Sequence, residues 1–302
     1  MTSSDNSSSL GWKKWVMGSR PRTLPAAVVP VAVGAACASV AQQPAWWRGG
    51  LALVVSLALQ VGVNYANDYS DGVRGTDNDR VGPLRLVGSG VASARAVKRA
   101  AFMCFGVAAI AGLILALVTT LWLLVVGVAA IIAAWTYTGG PRPYGYAGLG
   151  EVFVFLFFGV VATIGTEFVI AEDFSVTGAV ASVAVGSIAC ALLVINNLRD
   201  ISGDTVVGKK TLAVKMGDVL TRKFFAALIF LAFVAVVVTS FTAGPFAILG
   251  LVGVIALRPA IDAVSRGAKG RDLIPVLGIV GKGQLVLGIS YTLGLVLALS
   301  AL

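Results

Sequence analysis

Histidine is absent from all 302 residues. That removes Ser-His and Cys-His nucleophilic mechanisms, imidazole metal sites and histidine proton relays in one step, so any chemistry must run on carboxylates, Lys or Arg, Tyr, amides or a metal. Charge is scarce too: Asp, Glu, Lys and Arg make up 12% of the chain, against about a quarter in an ordinary soluble domain. That deficit argues against a soluble protein. Cysteine occurs three times. Cys37, Cys104 and Cys190 each sit in an apolar run without a C-x-x-C partner, so they read as small buried residues, neither bridges nor zinc ligands. The short alternating segments of a transmembrane β-barrel, about ten residues each, are missing as well. The Ser-rich, polar start, whose first apolar run comes late and is followed by others, is not read as a cleaved signal peptide.

What the chain does have is apolar length: 58% of it is hydrophobic, in successive runs long enough to cross a hydrocarbon core of roughly 30 Å as helices. Nine spans are expected, at 24–42, 50–67, 95–118, 120–138, 148–170, 177–198, 222–242, 245–264 and 276–300. The fold class is therefore all-α, a polytopic membrane helical bundle, with one domain over residues 20–302 behind a polar tail at 1–19. Twenty-two of the 23 Lys and Arg residues fall on one face, in the N-terminal segment and the loops after spans two, four, six and eight with their flanks; Arg48 alone falls on the other. The positive-inside rule then makes the N-terminus cytoplasmic and the C-terminus external. A net charge of +9 raises the question of a nucleic-acid partner, but cations dispersed over membrane-flanking loops read as topology and lipid-headgroup contacts instead. Lys98, Arg99, Lys215, Arg222, Lys223, Arg266, Lys269 and Arg271 are read this way, and Trp12, Trp15, Trp46 and Trp47 as interfacial anchors.

Eight of the 14 acidic residues stand in two groups on that cytoplasmic face: Asp68, Asp71, Asp77 and Asp79 after span two, and Glu151, Asp200, Asp204 and Asp218 after spans four and six. Asn64, Asp68 and Asp71 are spaced four and three apart, and Asn196, Asp200 and Asp204 four and four. On a helix each set forms a column on one face, an amide followed by two carboxylates. The two columns make a weak internal repeat. A lone Asp at a helix end is usually a solvated cap, but two such columns on one membrane face point to a shared ion. Carboxylates this close repel each other unless a cation lies between them. Oxygen-only ligands indicate a hard ion, and Mg²⁺ commonly bridges one or two carboxylates to substrate phosphates. Arg74, Arg80 and Arg85 near the first column, with Lys209 and Lys210 near the second, supply cations for a diphosphate. The "GKKT" segment lacks the G-x-x-x-x-G-K-[ST] frame and is not a phosphate loop.

These segments resemble the UbiA superfamily of intramembrane prenyltransferases, whose marks are N-D-x-x-D after the second span and D-x-x-x-D after the sixth, here Asn67, Asp68, Asp71 and Asp200, Asp204. "RPRTLPAAVVPVAVG", "GPLRLVGSG", "YTGGPRPYGYAGLGE" and "NNLRDISGDTVVGKKTLAVKMG" are similar to the branch acting on 1,4-dihydroxy-2-naphthoate. A commoner form of the first motif carries one more carboxylate, where this chain has Gly75; Asp77 follows two residues late. The resemblance implies a helical bundle around a central cavity, with cytoplasmic cap loops and a lipid-facing opening for an isoprenoid tail. It implies Mg²⁺-dependent transfer of a polyprenyl group from polyprenyl diphosphate to 1,4-dihydroxy-2-naphthoate, with decarboxylation, giving demethylmenaquinone. Asp68, Asp71, Asp200 and Asp204 would be the metal ligands, with Asn64, Asn67 and Asn196 as amide ligands or supports. Lys209, which matches the family's G-K-x-T segment, and Arg85 would hold diphosphate oxygens. Arg22 and Arg142 are candidates for the acceptor carboxylate, or simple caps of their spans. Tyr137 and Tyr144 either line a carbocation pocket or belong to the interfacial belt. Two other readings stay open: a different aromatic acceptor, such as 4-hydroxybenzoate, homogentisate or haem, and a cation-coupled transporter. Transporter ion sites lie near the bilayer midplane, whereas these carboxylates lie at span ends.

Overall fold

Runs of Leu, Val, Ala and Ile leave the backbone no partner in lipid but itself, so each run closes its own hydrogen bonds as helix. The computed structural model describes residues 11–75 and 85–301, and these contain no strand. Asp77, Asp79 and Arg80 lie outside the described residues. The helices are α1 (Lys13–Gly18), α2 (Pro25–Cys37), α3 (Trp46–Arg74), α4 (Ala94–Val118), α5 (Trp122–Thr136), α6 (Gly150–Ala171), α7 (Val176–Val206), α8 (Leu212–Ala243), α9 (Leu251–Ile255), α10 (Arg258–Ser265) and α11 (Leu273–Leu299).

Each expected span falls on helix, but the count of continuous spans differs. Six helices, α3, α4, α6, α7, α8 and α11, are single and long enough to cross a membrane, or up to eight spans exist if each of two bent pairs counts as one. The expected first span, 24–42, is the second half of one such pair, Pro25–Val40, bent by 54° from the preceding Lys13–Thr23. Pro21, Pro25 and Pro30 crowd this segment, and each removes a backbone donor. The expected eighth span bends by 41° ahead of Arg258–Ser265, where Pro259 opens α10. The expected fourth is α5, with 15 residues and so about 22 Å long, short of the core thickness. α8 is broken at Gly217, whose φ of 73° only glycine adopts without strain.

α7 is the most enclosed of the six spans and packs against α2, α6, α8 and α11. Its small residues make that possible: a Cβ on Gly159 of α6 would lie 2.5 Å from Gly186 Cα of α7, a backbone approach typical of membrane helix packing. Between Phe155 and Val161, α6 widens into a π-helix, which rotates the following turn relative to the preceding one. α3 ends on Gly75 in the left-handed conformation, φ 71°, so the glycine that interrupts the acidic motif is also the helix stop. At the opposite ends of the helices Arg48, the single cation of that face, pairs with Glu172.

Candidate active site

The last turns of α3 and α7 bring their columns to the same end of the bundle, and each carboxylate meets a partner there. Asp68 is fully buried and accepts the backbone N–H groups of Leu86 (2.8 Å) and Val87 (2.9 Å), pinning the segment that returns from the first acidic loop. Asp71, also buried, takes Lys209 Nζ at 3.0 Å, a direct link from the first column to the loop after the second. Tyr146 donates its hydroxyl to the same Asp71 oxygen. Its ring lies between Lys209 (4.6 Å to the centroid) and Arg74 (5.3 Å), while Arg74 donates to the carbonyls of Thr138 and Gly140. Lys210 N–H donates to Tyr146 O at 3.0 Å. The last turn of α3 and the loops after α5 and α7 are thus tied around one tyrosine.

The first carboxylate of the second column is paired within its own helix. Arg199 grips Asp200 with Nε and Nη2, both at 2.7 Å, and Nη2 also donates to Asn196 Oδ1 at 2.8 Å. A two-pronged guanidinium–carboxylate pair of this kind is directional as well as strong. Among the amides, Asn64 donates to Ser19 O (2.8 Å) and Thr23 Oγ1 (3.0 Å), and Asn67 Oδ1 accepts from Thr138 Oγ1 (2.7 Å). The amides therefore tie the N-terminal segment and the post-α5 loop to α3.

Below this polar end lies a cavity of about 1530 Å³, larger than the roughly 300–1,000 Å³ of an ordinary small-molecule site. Asn64, Asn67, Asn196, Arg22, Arg85, Tyr137 and Tyr144, all anticipated from the sequence, line it. Most of the remaining wall is apolar, chiefly Leu, Val, Ala and Phe. Tyr137 meets Tyr144 edge-on at 5.4 Å, Tyr144 stacks on Phe153 at 4.0 Å, and Phe153 stacks on Phe157 at 6.1 Å, an aromatic file running into the cavity. Burial pushes the Tyr144 hydroxyl above its ordinary pKa, so it stays a neutral phenol.

Some anticipated residues lie elsewhere. Arg142 is exposed and off the cavity wall; the buried Asp68, Asp71 and Lys209 and the half-buried Asp200 and Asp204 also lie off the wall. Other residues at this end were not singled out from the sequence. Arg199 and Arg20 line the cavity, as does Arg271, which the charge count alone assigned to topology. Arg20 has a φ of 53°, unusual for a residue with a side chain. Glu151, by contrast already counted in the second acidic group, is buried and accepts from Asn197 Nδ2 at 2.9 Å. An arginine set inside an acidic column, as in "NNLRD", was the available signal for Arg199; nothing local marked Tyr146.

Residues 27–273 match the UbiA prenyltransferase family. The chain belongs to that family. This family member is 50% identical over 274 residues to the 1,4-dihydroxy-2-naphthoate octaprenyltransferase of Mycobacterium tuberculosis, covering 90% of this chain and 93% of the relative. It is 35% identical to the enzyme of the same name from Escherichia coli, covering 88% of this chain and 94% of that one. Among solved structures, it superposes on an apo UbiA homologue from Aeropyrum pernix with a TM-score of 0.71 at 15% identity, covering 89% of this chain and 96% of that one. A homologue from Archaeoglobus fulgidus bound to GPP and Mg²⁺ gives 0.63 at 16% identity, covering 94% and 99%. These structural likenesses establish the fold. Membership of this family favours the enzyme over the transporter.

The donor set at the polar end of this family member, carboxylate and amide oxygens without imidazole or thiolate, suits a hard divalent cation. No group of three or more His, Cys, Asp or Glu residues is gathered among the described residues. Lys209 and Tyr146 meet Asp71, Arg199 meets Asp200, and two backbone N–H groups meet Asp68.

Proposed function

We propose that this chain transfers a polyprenyl group from polyprenyl diphosphate to 1,4-dihydroxy-2-naphthoate at the cytoplasmic face of a bacterial membrane, as a step of menaquinone synthesis. The observation that carries the reading is a single cavity whose polar end is rimmed by Asn64, Asn67, Asn196, Arg85 and Arg199 and whose interior is apolar. That division matches a diphosphate head on a hydrocarbon tail. The naphthoate acceptor follows from the similarity to the two naphthoate octaprenyltransferases.

In the proposed reaction the allylic carbon–oxygen bond breaks and the diphosphate leaves with the electron pair. The electron-rich ring carbon that carries the carboxylate bonds to the allylic carbon. Carbon dioxide then departs, returning its bonding pair to the ring and giving demethylmenaquinone in its reduced form. Mg²⁺, held by Asp71, Asp200 and Asp204 with Asp68 and the asparagine amides behind them, would neutralise the leaving group. Asp68 retains lone pairs for this after accepting two N–H bonds. Lys209 and Arg85 would bind diphosphate oxygens, joined by Arg199. The faces of Tyr137 and Tyr144 would shelter positive charge at the allylic carbon without attacking it, as a neutral Tyr144 requires. Arg22, with Arg271 on the same wall, would hold the acceptor carboxylate. Having 22 of the 23 cations on the acidic face supports a cytoplasmic N-terminus and active site.

The test supplies membranes containing the protein with octaprenyl diphosphate, Mg²⁺ and one acceptor at a time: 1,4-dihydroxy-2-naphthoate, 4-hydroxybenzoate, homogentisate or haem. Mass spectrometry should find a prenylated, decarboxylated product from the naphthoate alone. A product from another acceptor with none from the naphthoate would refute the assignment.

A further inference from the structure

All four glycines of the cavity wall are of one kind. At Gly112 on α4, Gly127 on α5, Gly165 on α6 and Gly278 on α11, an added Cβ would meet no atom within 4 Å. Packing glycines elsewhere in the bundle behave differently: a Cβ on Gly34 would lie 2.2 Å from Thr163 O, and one on Gly253 2.2 Å from Leu287 Cα. Gly50, Gly106 and Gly203 are equally open but lie off the cavity wall. Glycine weakens a helix relative to alanine. No close approach demands it at the four wall positions, so what they provide there is empty volume.

The four lie at graded depths. Lys98 sits over the rings of Tyr69 and Trp135, which fixes the start of α4 at the acidic end. Gly112 is fourteen residues further along α4, about 21 Å deeper at helical rise. Gly165 is the same number of residues beyond Glu151, whose carboxylate meets Asn197 beside the second column. Gly127 is eight residues from Trp135 and Gly278 seven from Arg271, about 12 and 10 Å respectively. Around the deep pair the wall is Val55, Leu115, Leu123 and Val169. The two hydroxyls at this depth are already engaged, Ser56 with Ala27 O and Thr166 with Ala162 O. Nothing there offers a polar group to a diphosphate or a naphthoate, whereas an alkyl chain fits.

We infer that the open glycines set how much isoprenoid the cavity admits, with Gly112 and Gly165 bounding its far end and Gly278 lying beside the units nearest the diphosphate. The inference rests on the prenyl-transfer reading and adds its selection for a long donor.

The experiment compares kcat/KM for octaprenyl diphosphate with that for geranyl diphosphate, the two-isoprene donor, in liposomes containing Mg²⁺ and 1,4-dihydroxy-2-naphthoate. Gly112→Leu and Gly165→Leu should each lower the long-to-short ratio about tenfold or more. Gly165→Val should fall between Gly165→Ala and Gly165→Leu. Gly278→Leu should depress both donors together. Gly165→Ala adds only a Cβ that meets no atom, and its geranyl turnover and melting temperature check that the helix tolerates the site. A ratio unchanged in Gly112→Leu and Gly165→Leu means that the tail leaves sideways into lipid, which overturns the inference. Equal losses for both donors across the Gly165 series overturn it too. Failure of the wild-type protein to use either donor would refute prenyl transfer itself, a result distinct from a length effect.

Discussion

The acidic columns of α3 and α7 carry nearly the same residues at nearly the same spacing, yet the fold treats them differently. The α3 column is buried, and its carboxylates are held by distant parts of the chain: Leu86 and Val87 on Asp68, Lys209 and Tyr146 on Asp71. The α7 column is half-buried, and its first carboxylate is matched by its own neighbour, Arg199. The first column thus ties distant segments of the chain together, whereas Asp200 of the second is gripped from within its own helix. Substitutions should separate the two in stability even where they agree in activity.

The largest stability loss is expected from Lys209→Met, which removes the cation paired with the buried Asp71 carboxylate. Breaking a buried pair from one side costs about 3–5 kcal/mol, to be read as a drop in detergent melting temperature. The matched change, Arg199→Met on α7, should cost less, because the half-buried Asp200 can reach water. Equal shifts would erase the distinction between the columns. Next comes Asp68→Ala, which orphans two N–H groups at about 1–3 kcal/mol each and should raise hydrogen exchange at Leu86 and Val87. Unchanged exchange there would show that Asp68 does not hold the segment. A smaller effect than that of Lys209→Met belongs to Tyr146→Phe, which loses one hydroxyl bond to a charged group, about 1.5–3 kcal/mol, while keeping the ring between Arg74 and Lys209. Tyr146→Leu should cost a further 0.5–1 kcal/mol or so for each cation–ring contact it removes. A phenylalanine variant as unstable as the leucine one would place the effect in the ring.

The helices were legible in the sequence because lipid leaves apolar runs one backbone solution, and the columns because Asn64–Asp68–Asp71 and Asn196–Asp200–Asp204 keep helical spacing. Bends were harder to see. Pro21, Pro25 and Pro30 weaken the first span, but hydropathy alone runs straight through them. Arg199 escaped notice because residues one apart do not face each other on a helix; only its long side chain lets it turn back onto Asp200. Tyr146 was hidden for a different reason. Its partners Asp71 and Lys209 lie 75 and 63 positions away, and only the assembled bundle brings them together.

That the two columns serve one diphosphate is the central claim, and metal-dependent turnover tests it most directly. Protein in liposomes would receive octaprenyl diphosphate and 1,4-dihydroxy-2-naphthoate, and the prenylated product would be followed by mass. The account predicts that EDTA stops turnover, that Mg²⁺ restores it, and that Asp71→Asn on α3 and Asp204→Asn on α7 each lower kcat by about a hundredfold or more. Undiminished turnover in EDTA, or with either column so altered, would contradict it.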